Sequence, residues 1–271
     1  MLLVLLALAG SATMAFVTRD GPYVSPDAVS YIGTARGLAA GDGFTAPPGT
    51  PPVGHFAPLY PVALAALDVV GLDPLDGARW LNTLLLGATV LVVGLALRRA
   101  TRKWWPSLAG GLLVVLATDA LAYYSSALSD PLFALLSLLG IVALAEYLQA
   151  RRPALLGAAT ALVTLALLTR YVGLALVAAG AVALVYGAGR RWRGVLEAAA
   201  FSTALVPVTA WVIWARRAHG GGSEGEIVFH PFGGAYLERG AGNLIEWIVP
   251  GAFPWWLGAL VAAAAAVLVV W

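Results

Sequence analysis

The sequence predicts an all-α, polytopic transmembrane helical bundle with amphipathic juxtamembrane helices on its extracytoplasmic side. Three observations lead there. First, 61% of the 271 residues are hydrophobic and only 11% charged, with a mean hydropathy of +0.86, whereas a soluble domain carries about 25% charged residues. Second, the apolar runs are continuous, as in "LAGGLLVVLA", rather than alternating. Helices satisfy their backbone internally in lipid, and a membrane β-barrel would need the alternation. Third, Lys and Arg cluster on alternate loops, as cytoplasmic loops do.

The composition also sets what is not expected. A formal charge of +2, with no basic run longer than "RRATRK", gives no argument for a nucleic-acid partner. With no cysteine there is no disulfide, thiolate nucleophile or Cys-ligated metal.

Taken in order, residues 1–17 form a first apolar run. It ends in small residues like those of a cleavable signal, but no positive segment precedes it, which favours a transmembrane helix over a secretory signal. Further spans are expected near 77–97, 106–123, 131–149, 154–169, 171–188, 194–214 and 252–271, several of them short against the ~20 residues that a bilayer needs. The whole, 1–271, reads as a single multi-pass domain. Its last run ends at Trp271 without a charged flank, so the chain is either complete there or the N-terminal part of a longer protein. Arg98, Arg99, Arg102 and Lys103, then Arg151 and Arg152, then Arg190, Arg191 and Arg193 mark the cytoplasmic loops. The extracytoplasmic side then holds loops near 18–76 and 215–251, and every acidic residue except Glu146 and Glu197.

Within the first of these loops, "SPDAVSYIGTARGLAAGDGF" carries a full set of helix signals. Ser25 suits the N-cap, Pro26 the first turn, Asp27 the positive end of the dipole, and Gly41 and Gly43 the stop. At 100° per residue Tyr31, Ile32, Ala35, Leu38 and Ala39 share one face, with Ser30 and Thr34 on the other side of Asp27. The expected helix is amphipathic and lies along the outer interface. "LYPVALAALDVVG" is too short to span and suits an interfacial or re-entrant helix.

Each residue that could carry chemistry also has a plain structural reading. Asp27 either decorates a helix start or serves as a base. Asp130, in "SDPLF", has the signature of a helix cap, yet it heads a helix on the same side as Asp27. His55 is a lone loop histidine without a second ligand at metal spacing. Arg79, in "ARWLN", is either an interfacial anchor or a functional cation. Arg170, in "LLTRYVG", interrupts two apolar runs and is either a snorkelling turn residue or a phosphate clamp. The tryptophan pairs Trp104/Trp105, Trp211/Trp214 and Trp255/Trp256 read as interfacial belts.

The order of these features resembles the GT-C glycosyltransferases that use polyprenyl-phosphate donors, in particular the protein mannosyltransferase and aminoarabinose transferase branch (glycosyltransferase family 39-like). It rests on "DAVSYIGTARGLAAGDGF", "HFAPLYP", "ARWLN", "SDPLF" and "LLTRYVG", across Met1 to Gly187. The resemblance implies an inverting transfer of sugar from a polyprenyl-phosphate donor to an extracytoplasmic glycan, lipid or protein acceptor, at the outer face of the plasma membrane. Asp27 falls on the family's catalytic base and Asp130 on its second acid, which shapes the acceptor or a metal site. His55, Arg79 and Arg170 are the candidates to hold the donor's phosphate. Tyr31, Tyr60 and Asn82, from the same motifs, complete the substrate-binding set. Many members carry an acidic pair at the first position, where Ala28 follows Asp27 here, so a divalent metal is possible and no cofactor is certain. The rival expectations are a transporter or lipid flippase, for which Arg170 and Asp119 would have to face a central cavity, and a non-catalytic GT-C-like subunit.

Overall fold

A computed structural model describes residues 1–45, 56–189, 192–218, 234 and 239–240. The helices treated below belong to the unit Met1–Glu224. Among the described residues every regular element is helical, and an isolated β-bridge joins Tyr23 and Ser126. The helices are α1 (Leu2–Val17), α2 (Pro26–Ala40), α3 (Leu59–Val69), α4 (Pro74–Thr101), α5 (Trp104–Leu116), α6 (Thr118–Tyr124), α7 (Asp130–Ala150), α8 (Pro153–Thr169), α9 (Leu174–Gly187), α10 (Trp192–Ser202) and α11 (Leu205–Ala218), with a 3₁₀ turn at Tyr171–Gly173 before α9.

Among the described residues, three helical stretches are long and apolar enough to cross a membrane: α4, α7 and the combined run Trp192–Ala218. The α5 and α6 pair would make a fourth, bent by 65° at its break. That bend corrects the straight span expected at 106–123. The expected spans 1–17, 154–169 and 171–188 are present as shorter apolar helices, as is Leu59–Val69. The run 252–271 lies outside the described residues.

The helix boundaries follow from local chemistry. Ser25 caps α2 by accepting from the Ala28 N–H at 3.3 Å, Pro26 opens it, and Gly41 closes it at φ 88°, where glycine bears no Cβ penalty. Asp73 caps α4 by accepting from the Leu75 N–H at 2.9 Å, and Arg36 of α2 donates to the same carboxylate at 2.9 Å. The faces of α2 depart from the expected amphipathic pattern. Thr34 is buried along with Ala28, Tyr31, Ile32 and Ala35, while Ala39 and Val29 are exposed. α2 packs against α3 and shares an apolar cluster with it and with Ala78 and Ala127, so its inward face is set by protein neighbours.

Helix pairs approach closely at small residues, the usual solution where neighbouring apolar surfaces are no wetter than lipid. Gly87 of α4 lies against Ser11 of α1, Gly94 against Leu3, and Gly110 of α5 against Leu97. Ser11 also donates to the Thr83 carbonyl at 3.0 Å. A second core surrounds Phe201, which fills the space over Gly180 and meets Val163, Leu167 and Leu184.

The bundle has two chemically distinct ends. At one, Arg99 pairs with Glu146, and Glu197 is shared by Arg151 and Arg193 at 2.9 and 2.7 Å. This brings the described members of the three predicted cytoplasmic clusters to one side. At the other end lie α2, α3, and the starts of α4 and α7.

Gly37 of α2 faces the returning loop so tightly that a Cβ there would sit 2.7 Å from the Thr45 carbonyl oxygen. Gly37→Ala is expected to lower stability by about 1–3 kcal/mol through overpacking. Thermal unfolding in detergent checks it, and an unchanged midpoint would contradict the contact.

Candidate functional site

The site begins with two backbone hydrogen bonds. The Tyr23 N–H donates to the Ser125 carbonyl and the Ala127 N–H to the Tyr23 carbonyl, both at 2.9 Å. Asp27 and Asp130 each begin a helix a few residues beyond this bridge, so it draws two distant segments of chain into one place. Asn82, fully buried, fixes the second segment from below: its Nδ2 donates to the Ser126 carbonyl at 2.7 Å and reaches the Leu128 carbonyl at 3.5 Å.

Above that frame the candidate side chains converge. The Tyr31 hydroxyl and Ser129 Oγ share a hydrogen bond at 3.2 Å. Arg170 Nη1 donates to Asp130 Oδ2 at 2.5 Å and to Ser129 Oγ at 3.5 Å. The charges of Arg170, Asp27 and Asp130 all act on the Tyr31 phenol, whose pKa is raised, chiefly by burial. The charge of Asp27 also reaches Asp130. Asp27 itself is exposed, and among the described residues its carboxylate makes no hydrogen bond or ion pair.

This arrangement resolves one of the alternatives left by the sequence. Asp130 is not simply a cap: Ser129 occupies the N-cap position without a side-chain capping bond, and the Asp130 carboxylate is held by Arg170. Arg170 sits in extended backbone between α8 and the 3₁₀ turn, and its guanidinium turns onto Asp130.

Tyr60 lies directly beneath. It is fully buried, its ring meets that of Tyr31 edge-on at 5.2 Å, and its hydroxyl faces the Asn82 side chain at a geometry short of a full hydrogen bond. Arg79 stands apart from the cluster. It donates to the Ala15 carbonyl at 3.0 Å and to Thr18 Oγ1 at 3.4 Å, closing the end of α1, and stacks on Trp80. His55 lies outside the described residues.

Several residues of this end escaped the sequence reading. Ser129 links Tyr31 to Arg170, and a serine one position before an expected capping aspartate gave no separate signal. Trp211 was expected in an interfacial belt, but its indole N–H donates to the Tyr171 hydroxyl at 3.0 Å and the Phe56 carbonyl at 3.3 Å. Phe44 packs on Trp211 at 4.6 Å, Trp211 stacks on Trp214 at 4.9 Å, and Phe56 meets Tyr31 at 4.7 Å. An aromatic wall therefore flanks the charged group. The spacing of Trp211 and Trp214, one helical turn apart, was its only trace in the sequence.

Chemically, the site offers a carboxylate at Asp27 that has no partner among the described residues, a second carboxylate oriented by a guanidinium, and a phenol and a hydroxyl beside them. Among the described residues no three metal-ligating side chains gather.

Asn82→Ala removes the donor to a buried carbonyl and is expected to cost about 1–3 kcal/mol, read as a lower unfolding midpoint. A midpoint equal to that of the wild type would show that the frame does not depend on it. Compared with known family models, characterised proteins and solved structures, the chain gives no match.

Proposed function

We propose that the chain is a multi-pass membrane glycosyltransferase that moves a sugar from a polyprenyl-phosphate donor to an extracytoplasmic acceptor by a single inverting displacement. The observation that carries this reading is the exposed, unpartnered Asp27 carboxylate beside the Asp130–Arg170 pair, at the bundle end opposite the basic loops. Three helices able to cross a membrane supply the setting that a lipid-linked donor needs.

In this reaction Asp27 accepts the proton of the acceptor hydroxyl, for which it must come within about 2.6–3.2 Å. The acceptor oxygen forms its bond to the anomeric carbon as the bond from that carbon to the phosphate oxygen breaks. The electron pair departs with polyprenyl phosphate. Charge developing on that phosphate calls for a pre-positioned cation, and Arg170, with Nη1 committed to Asp130, has further N–H groups to offer. Asp130 acts through Arg170 by fixing its orientation. Tyr60 and Asn82, both fully buried, hold the frame rather than touch substrate, and Tyr31 with Ser129 joins frame to charge.

A transporter reading finds no comparable support. Asp119 is exposed in the first turn of α6, and Arg170 is occupied with Asp130. A non-catalytic subunit would need the Asp130–Arg170 pair only as a clamp between α7 and α8, and would have no use for the Asp27 carboxylate.

The test is release of polyprenyl phosphate from a panel of polyprenyl-phosphate sugars by the purified full chain in detergent. Release is expected with one sugar and should fall at least ~100-fold in folded Asp27→Asn, the range for loss of a general base. Release from no donor, or full activity in Asp27→Asn, would overturn the proposal.

A further inference from the structure

At the end of the bundle opposite Asp27, a cleft of about 510 Å³ is lined by Leu95, Arg98, Arg99 and Arg102. These residues follow one another at i, i+3, i+4 and i+7, so the last turns of α4 present three guanidinium groups on one face. Like charges at that spacing repel. Among the described residues only Arg99 has a carboxylate partner, Glu146.

Arg98 is the most informative of the three. Its guanidinium lies over the Trp104 ring, 3.2 Å from the centroid, and its Nη1 is buried without a hydrogen-bond partner. A buried donor on a cation is costly unless an acceptor reaches it. Arg102 ends α4 in the left-handed region at φ 58° and is exposed beside it. The sorting of basic loops to the cytoplasm accounts for cations on this side. It does not account for a cleft formed around them, nor for a buried unpartnered Nη1.

A phosphate oxyanion fits this cleft, because it brings several acceptor oxygens to planar donors of fixed geometry. The surroundings favour a lipid as its source. Leu95 is half exposed within the cleft wall, and Trp104 and Trp105 are exposed at the same level, as aromatic residues are at head-group depth. We propose that the Arg98, Arg99 and Arg102 cleft binds the phosphate of an anionic phospholipid head group, on the membrane face opposite the Asp27 site. This rests on the helical bundle and its charges and does not depend on the glycosyltransferase reading.

The test is thermal unfolding of the purified full chain in a neutral detergent, with added phosphatidylglycerol, phosphatidylcholine or inorganic phosphate. Phosphatidylglycerol is expected to raise the midpoint, since a ligand of the folded state stabilises it by mass action. Phosphatidylcholine and inorganic phosphate should leave it nearly unchanged. Arg102→Gln alters an exposed side chain and should fold normally while losing the shift, as should Arg98→Gln. Arg217→Gln, at the other end of the bundle, should keep it. The proposal is overturned if phosphatidylglycerol gives no shift, if phosphatidylcholine matches it, or if Arg102→Gln retains it. An equal shift with inorganic phosphate would overturn the lipid source and leave a free-anion site.

Discussion

The charged end of this protein depends on one buried amide. Asn82, with no exposed surface, donates to the Ser126 carbonyl at 2.7 Å, and the residues on either side of Ser126, Ser125 and Ala127, are hydrogen-bonded to the Tyr23 backbone. Most of the bundle is held by apolar packing, which sets proximity but not direction. A hydrogen bond in a low-dielectric interior sets direction as well, and is expensive to leave unmade. The apolar cluster of Ala28, Tyr31 and Ala127 brings the segments leading to Asp27 and Asp130 together, and the Asn82 amide fixes the direction of the second.

Much of the local architecture was legible before the structure. Ser25, Pro26 and Gly41 marked the ends of α2, because caps are written in neighbouring residues, whereas the start of α4 at Pro74, capped by Asp73, lies three residues before the span expected from 77. The face of α2 was legible in part: Tyr31, Ile32 and Ala35 are buried together as expected, whereas Thr34 also turns inward and Ala39 is exposed, and periodicity cannot report a neighbour that arrives from elsewhere in the chain. The bend between α5 and α6 at Ala117 was missed although Thr118 and Asp119 interrupt the apolar run just beyond it, because the expected span runs across that polar pair.

The candidate site was legible as a list and not as an arrangement. Asp130 carries a local capping signature, yet its partner is Arg170, 40 positions later. Tyr31 reaches Ser129 across 98 positions. Trp211 looked like a belt residue because tryptophan at a helix end usually is one, and only its hydrogen bonds to Tyr171 and Phe56 place it beside the site. Arg79 and Arg170 read alike in sequence, but one closes α1 and the other orients a carboxylate. The two ends of the bundle thus use the same residue type differently. At the Asp27 end a guanidinium is paired with a carboxylate, whereas at the Arg98 end one lies over the Trp104 ring.

The most direct measurement of the central claim is where the donor lies. A polyprenyl-phosphate sugar carrying a photoreactive group on its sugar, irradiated with the purified chain and mapped by mass spectrometry, should label the segments around Asp27, Ser129 and Arg170 and be displaced by unlabelled donor. Labelling confined to the Arg98 end, or undiminished by competition, would contradict the account.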